Sequence, residues 1–185
     1  MTRIAGTLVG VAFASLAGCS LGSGAVSPLG CRIALGYIKD FEARAGKPIG
    51  VWTRPASSGI SLEDIDAFVK AQPQHTDDPE ISRFRAQAWV EDLSVVANCR
   101  DVRRWLDDER IPHDDARLER LPGKEPWPIA VLAISMPVFT DGGTTASFAV
   151  YESWGPLGGS VHAIVYKRGA DGRWRLASRD TLGIS

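Results

Sequence analysis

This sequence is poor in the residues that carry most enzyme chemistry. Its 185 residues hold three histidines, three cysteines and two methionines. They form no Cys-x-x-Cys, no His pair four apart on a helix and no phosphate-cradling Gly-Lys loop, and no serine elbow stands between a strand and a helix. Redox dithiol, zincin and P-loop chemistry therefore have no foothold in the pattern. Positive charge is not in excess either: 21 basic against 22 acidic side chains give a net charge of −1, so the footprint of a nucleic-acid binder is missing. The basic clusters, Arg100-Asp101-Val102-Arg103-Arg104 and residues 117–120, are interleaved with acids and read as solvated faces. The longest apolar run, residues 4–17, falls short of the ~20 residues that span a bilayer.

What that run does carry is an export signal. Arg3 lies beside the free amine, nothing in residues 4–17 ionises, and the run ends in small residues, the order of a secretory signal rather than a membrane helix. Leu16-Ala17-Gly18-Cys19 closes it. This tetrapeptide resembles the lipobox of bacterial lipoproteins. The resemblance implies that the Cys19 sulfur receives a diacylglycerol, that the bond between Gly18 and Cys19 is cut, and that the new amino group is acylated. Cys19 is then an anchor, and two or more acyl chains hold firmly where one of ~14 carbons holds only marginally. Ser20 follows Cys19, and the sorting rule of proteobacterial lipoproteins reserves Asp there for the inner membrane. The implied location is the outer membrane, facing the periplasm.

Residues 1–18 are thus expected to be signal peptide, 19–27 a flexible Gly-, Ser- and Ala-rich tether, and 28–185 one domain. Removing 18 of the 185 residues leaves 167, enough for a single core, with 20 basic and 22 acidic side chains and a net charge of −2. Two cysteines remain, Cys31 and Cys99, in an oxidising compartment. An even pair there reads as a disulfide, with two buried thiols as the alternative.

Helices come first along the mature chain. Pro28 opens one that runs to Ala45 and stops at Gly46. Ser61 with Asp64 three residues on caps a second, whose stripe is Leu62, Ile65, Phe68 and Val69. Residues 81–90 alternate apolar and polar and are read as a strand, although Asp78-Pro79 could equally begin a helix. Asn98 is expected to cap a further helix that ends near Asp108, and residues 111–127, with three prolines, to form a surface connection.

From residue 129 the pattern switches to strands. Residues 129–139, 144–153, 159–166 and 174–178 alternate and are joined by links too short for parallel crossovers, so they pair antiparallel. Pro137 places a bulge or an edge in the first. The expected class is α+β, with N-terminal helices packed on a C-terminal four- or five-stranded antiparallel meander. This element order over residues 31–182 resembles NTF2-like and cystatin-like layouts, a likeness that transfers no catalytic residue. The stretches "ISMPVFTDGG" and "YESWGPLGGSVHAIVYKRGADGRWRL" resemble the sheets of many secreted bacterial proteins without assigned activity.

Candidate chemistry centres on the histidines. His75-Thr76-Asp77-Asp78 and His113-Asp114-Asp115 could offer imidazole and oxygen to a metal, but Asp is common in turns, and no metal or cofactor is expected. His162 lies on a strand within reach of Ser153, Tyr151 or Glu152, a conceivable nucleophilic set. A half-buried histidine bonded to a neighbour is the commoner outcome. Trp154, Leu157, His162 and Tyr166 form the expected binding surface, Trp154 and Leu157 in the Gly-rich link 154–159, which otherwise is a hairpin turn. Trp52 and Trp127, in or beside loops, are candidates for an exposed aromatic patch. Two functions remain open: a membrane-anchored, non-enzymatic envelope module that binds a protein or a small apolar ligand, and an envelope hydrolase or metal-dependent enzyme using His162 or the His-Asp loops.

Overall fold

The computed structural model describes residues 26–57, 61–88, 93–120, 128–155 and 158–184. Cys19, Gly18, the expected signal peptide, most of the expected tether, Trp127 and Leu157 lie outside the described residues. The architecture is α+β, with helices followed by a mostly antiparallel sheet.

Helix α1 (Pro28–Ala45) starts where Ser27 Oγ accepts from the Gly30 amide. It ends where Gly46 takes φ +61°, a left-handed conformation that glycine adopts without a Cβ clash. Cys31 in its first turn meets Cys99, with the sulfurs at bonding distance and the Cα atoms 5.5 Å apart. Cys99 precedes α5 (Arg100–Asp108) and stands at its N-cap. Asn98 does not cap α5, because Val95–Asn98 closes a turn of its own, α4, in which the Ser94 hydroxyl accepts from the Ala97 amide at 3.0 Å. Helix α2 (Leu62–Ala71) carries the full Ser61/Asp64 capping box.

Residues 79–88 form a helix, α3 (Pro79–Ala88), where alternation suggested a strand; Trp89 and Val90 lie outside the described residues. The cap decides it: Asp78 Oδ1 accepts from the Glu80 amide at 2.8 Å while Pro79 supplies a preset φ for the first turn. An alternating run this short fits either period.

The sheet has six strands. Its path is β1 (Ile49–Val51), β2 (Ala130–Ile134), β4 (Thr145–Gly155), β5 (Gly158–Arg168) and β6 (Trp174–Ile184), with β3 (Val138–Thr140) pairing β4 beyond β2. Pro137 falls in the break between β2 and β3. The meander is antiparallel as its links require, but β1 adds a parallel edge through Ile49 opposite Ala130. That pairing is possible because about eighty residues, including α2 to α5 and a further helix, α6 (Asp115–Glu119), make the crossover.

Helix α1 and the α4–α5 unit cover one face, burying Ile38, Phe41, Val102, Leu106, Leu132 and Phe148. The other face is covered by residues 52–57 and by α6 (Asp115–Glu119). The expected surface connection is therefore partly a core element. Leu118 and Ile111 are buried, the Val51 amide donates to Pro112 O at 2.9 Å, and Asp115 accepts from the Thr53 amide at 2.5 Å. Trp52 is buried rather than displayed, with the Arg54 guanidinium 3.9 Å above its ring.

Candidate functional site

Ala146, Phe148, Val150 and Glu152 share the face of β4 that looks toward α1, and the first three are apolar. Glu152 is an acid with 0% exposure. Its Oε1 accepts from the Tyr37 hydroxyl at 2.7 Å and from Arg44 at 3.1 Å, and its Oε2 from Arg179 at 2.6 Å. Such donors are what allow a carboxylate to be buried at all. Tyr37 and Arg44 come from the same side of α1, seven residues apart, while Arg179 reaches in from β6. Burial, followed by the charge of Glu152 and its hydrogen bond, pushes the Tyr37 phenol far above its ordinary pKa, so it stays a donor.

The network continues into His162, which stands opposite Val150 on β5. Arg179 Nη2 is 3.0 Å from His162 Nε2, Ser160 Oγ is 2.7 Å from the same nitrogen, and Thr181 Oγ1 is 3.2 Å from Nδ1. Arginine only donates. Nε2 is therefore the acceptor, and Nδ1 carries the proton and donates to Thr181. Burial, then the Arg179 charge, holds the His162 pKa below its ordinary value, with Glu152 opposing.

A serine 2.7 Å from an imidazole is what nucleophilic catalysis requires. Here the lone pair that would accept the serine proton already faces a guanidinium. The hydroxyls and acid expected around His162 are also arranged differently. Ser153 donates to the carbonyls of Gly155 and Gly158, each at 2.9 Å, while Tyr151 lies on the other face against Gly159. Glu152 is reached only through Arg179. The arrangement ties α1, β4, β5 and β6 together.

A cleft of about 510 Å³ opens at the other end of α1, between that helix and the β5–β6 hairpin. Leu29, Arg32, Ile33, Gly36 and Asp40 form its helical side, and Tyr166, Arg168 and Trp174 the sheet side. Arg32, Gly36 and Asp40 are four residues apart and so make one stripe along α1. Neither the Arg32 nor the Asp40 side chain has a hydrogen bond or ion pair among the described residues. Gly36 sits in the helix interior, where glycine costs about 1 kcal/mol relative to alanine. The Tyr166 phenol is raised by burial and by the nearby Asp40 charge. A smaller cleft of about 290 Å³ lies on the opposite face beside Trp52, Arg54 and Tyr151.

The four residues of the expected binding surface are thus not one patch. Tyr166 lines the large cleft and His162 belongs to the polar network. Trp154 packs on Phe41 at 5.1 Å while its carbonyl accepts from Lys47 at 2.7 Å, and Leu157 lies outside the described residues. Among the described residues the His-Asp loops do not assemble a metal centre: His75 pairs with Asp78 at 3.6 Å, and His113 faces Asp107 at 3.5 Å and the Ile111 carbonyl. Among the described residues no group of three or more His, Cys, Asp or Glu converges, and no helix is long and apolar enough to cross a membrane.

Comparison of the chain with protein-family models, curated proteins and solved structures finds no match. Sequence reasoning missed the partners of Glu152 and the helical side of the cleft. Signals existed for both: a lone acid on an otherwise apolar strand face, and a glycine inside a helix midway between an arginine and an aspartate.

Proposed function

We propose that this chain is a lipid-anchored binding module of the bacterial cell envelope, held through Cys19 and taking a small ligand in the cleft between α1 and the β5–β6 hairpin. The observation that carries the reading is the cleft itself, about 510 Å³ with an aromatic wall and two charged side chains, Arg32 and Asp40, that have no ion pair among the described residues. Both side chains are exposed, and both line a concave space of ligand size. The lipobox resemblance supplies the location, the outer membrane facing the periplasm. A hydrolase reading has one observation in its favour, the contact between Ser160 and His162, and Arg179 on the same nitrogen weighs against it.

The test is mass spectrometry of the full chain extracted from the envelope of its own cell. Under denaturing conditions the mature chain starts at an acylated Cys19, and under native conditions it carries a non-covalent small molecule. A chain that retains Met1 and comes off empty overturns both halves of the reading. Ester hydrolysis that disappears in Ser160→Ala would replace it with the enzyme.

A further inference from the structure

Resting on that reading, we infer that the cleft is a site for an amphipathic monoanion, an alkyl or acyl chain with one carboxylate or phosphate. Gly36 is the first reason. A Cβ built there meets no atom within 4 Å, so nothing in the described fold requires glycine. Gly159 differs, since a Cβ there would run into the Tyr151 ring, and at Gly30 a Cβ would rest in ordinary van der Waals contact with Met136, Phe139 and Pro137. Helix α1 tolerates its worst non-proline residue where the chain itself gains nothing from the missing side chain. The space is kept for something outside the chain.

The charges set the polarity of the occupant. Arg32 and Arg168 flank the cleft from α1 and β5, and the only hydrogen bond of the Arg168 side chain among the described residues is a long one, Nε to Gly172 O at 3.4 Å. Guanidiniums match the planar or tetrahedral oxygens of a carboxylate or phosphate. Ile33, Tyr166 and Trp174 provide the apolar stretch between. Asp40 stands at the far end of the stripe and rejects a second negative charge. Eight residues of helix separate Arg32 from Asp40, about 12 Å. Bonds of about 1.5 Å at tetrahedral angles advance an extended alkyl chain by about 1.25 Å per carbon, so that distance suits roughly ten carbons.

Decanoate is the matching probe. Binding is followed by calorimetry on the full acylated chain in phosphatidylcholine nanodiscs, with empty nanodiscs subtracted. Decanoate should saturate, neutral decanol should not compete, and decanedioate should bind at least tenfold more weakly, recovering in Asp40→Asn. Arg32→Ala, at an exposed position, should weaken decanoate about tenfold. Gly36→Met should abolish binding while raising the melting temperature, which separates a filled cleft from a damaged fold. Repeating the titration in phosphatidylglycerol nanodiscs distinguishes the source: decanoate blocked there means that membrane lipid occupies the site, and decanoate unaffected means a free amphiphile. Binding that survives Gly36→Met, is equalled by decanol, or never saturates overturns the assignment. If a non-covalent adduct still appears on the native protein in that case, the cleft binds something of another class and the binding reading stands.

Discussion

Strands β2 and β6 belong to one sheet and are built on opposite terms. All five residues of β2 are buried, whereas none of the eleven in β6 is. The difference is written in composition: Ala130-Val131-Leu132-Ala133-Ile134 has no polar side chain, and β6 places Arg175, Arg179 and Asp180 among Leu176, Leu182 and Ile184. β2 is covered twice, its even-numbered residues by the helical core and Val131 and Ala133 by the cluster around Trp52. β6 is an edge held by its ladder to β5, with two register shifts and several charges, devices that discourage pairing with foreign strands. The core closes at one side of the sheet and leaves the other side available. The large cleft and the Arg179 network both lie on that open side.

The largest way to test the contrast is to loosen the cover over β2. Cys31 and Cys99 tie α1 to the start of α5 across 68 residues of sequence. With the bridge formed, replacing both by serine should lower stability by about 4 kcal/mol in the chain-entropy account. Urea denaturation gives the loss, and thiol titration of the unfolded, unreduced protein should find no free thiol besides any at Cys19. Two reactive thiols would mean that the covered side stands without a staple.

A matched pair of leucines addresses the contrast directly. Leu132 in β2 has 0% exposure and Leu176 in β6 has 52%. Leu132→Ala should cost about 3 kcal/mol through lost burial and the cavity left behind. Leu176→Ala should stay within about 0.5 kcal/mol, as surface changes do. Equal losses would show that β6 is packed by something outside the described residues, and the open-side description would fall.

Legibility did not follow cover. The Pro28 start and Gly46 stop of α1 and the short links between strands are local signals that produced the expected elements, whereas the apolar run across 129–139 came out as two strands, β2 and β3, broken around Pro137. β1 and α6 escaped because three and five residues are too few to show a period. α3 was misread because its alternation was legible and its cap was outvoted. The site was legible only in pieces. Tyr166 and His162 stood out on their strand, but Tyr37 and Glu152 are 115 residues apart, and no local pattern announces such a contact. Polar networks are assembled by topology, so the sequence shows their members without showing their partners.

The smallest expected effect concerns pH, and it probes the seam between the two halves. His162 is held neutral by burial and by Arg179, against the pull of Glu152, with Arg44 adding to the cost of a second positive charge. Its folded pKa therefore lies below the ~6.5 of an unfolded chain. As pH falls through ~6.5, the unfolded chain takes up a proton that the folded chain still refuses, so stability declines. The decline ends once pH passes below the folded value, where both states carry the proton. The contribution is complete above ~6.5 and lost progressively on the acid side. His162→Gln keeps a hydrogen-bonding side chain without the titration, so the difference in stability between wild type and variant should narrow or reverse from pH 7.5 toward pH 5. Denaturant midpoints at both pH values measure it. A difference that does not change with pH would mean that the imidazole takes its proton as readily in the fold as outside it, with Arg179 turned away to solvent and the network reduced to Glu152 and α1.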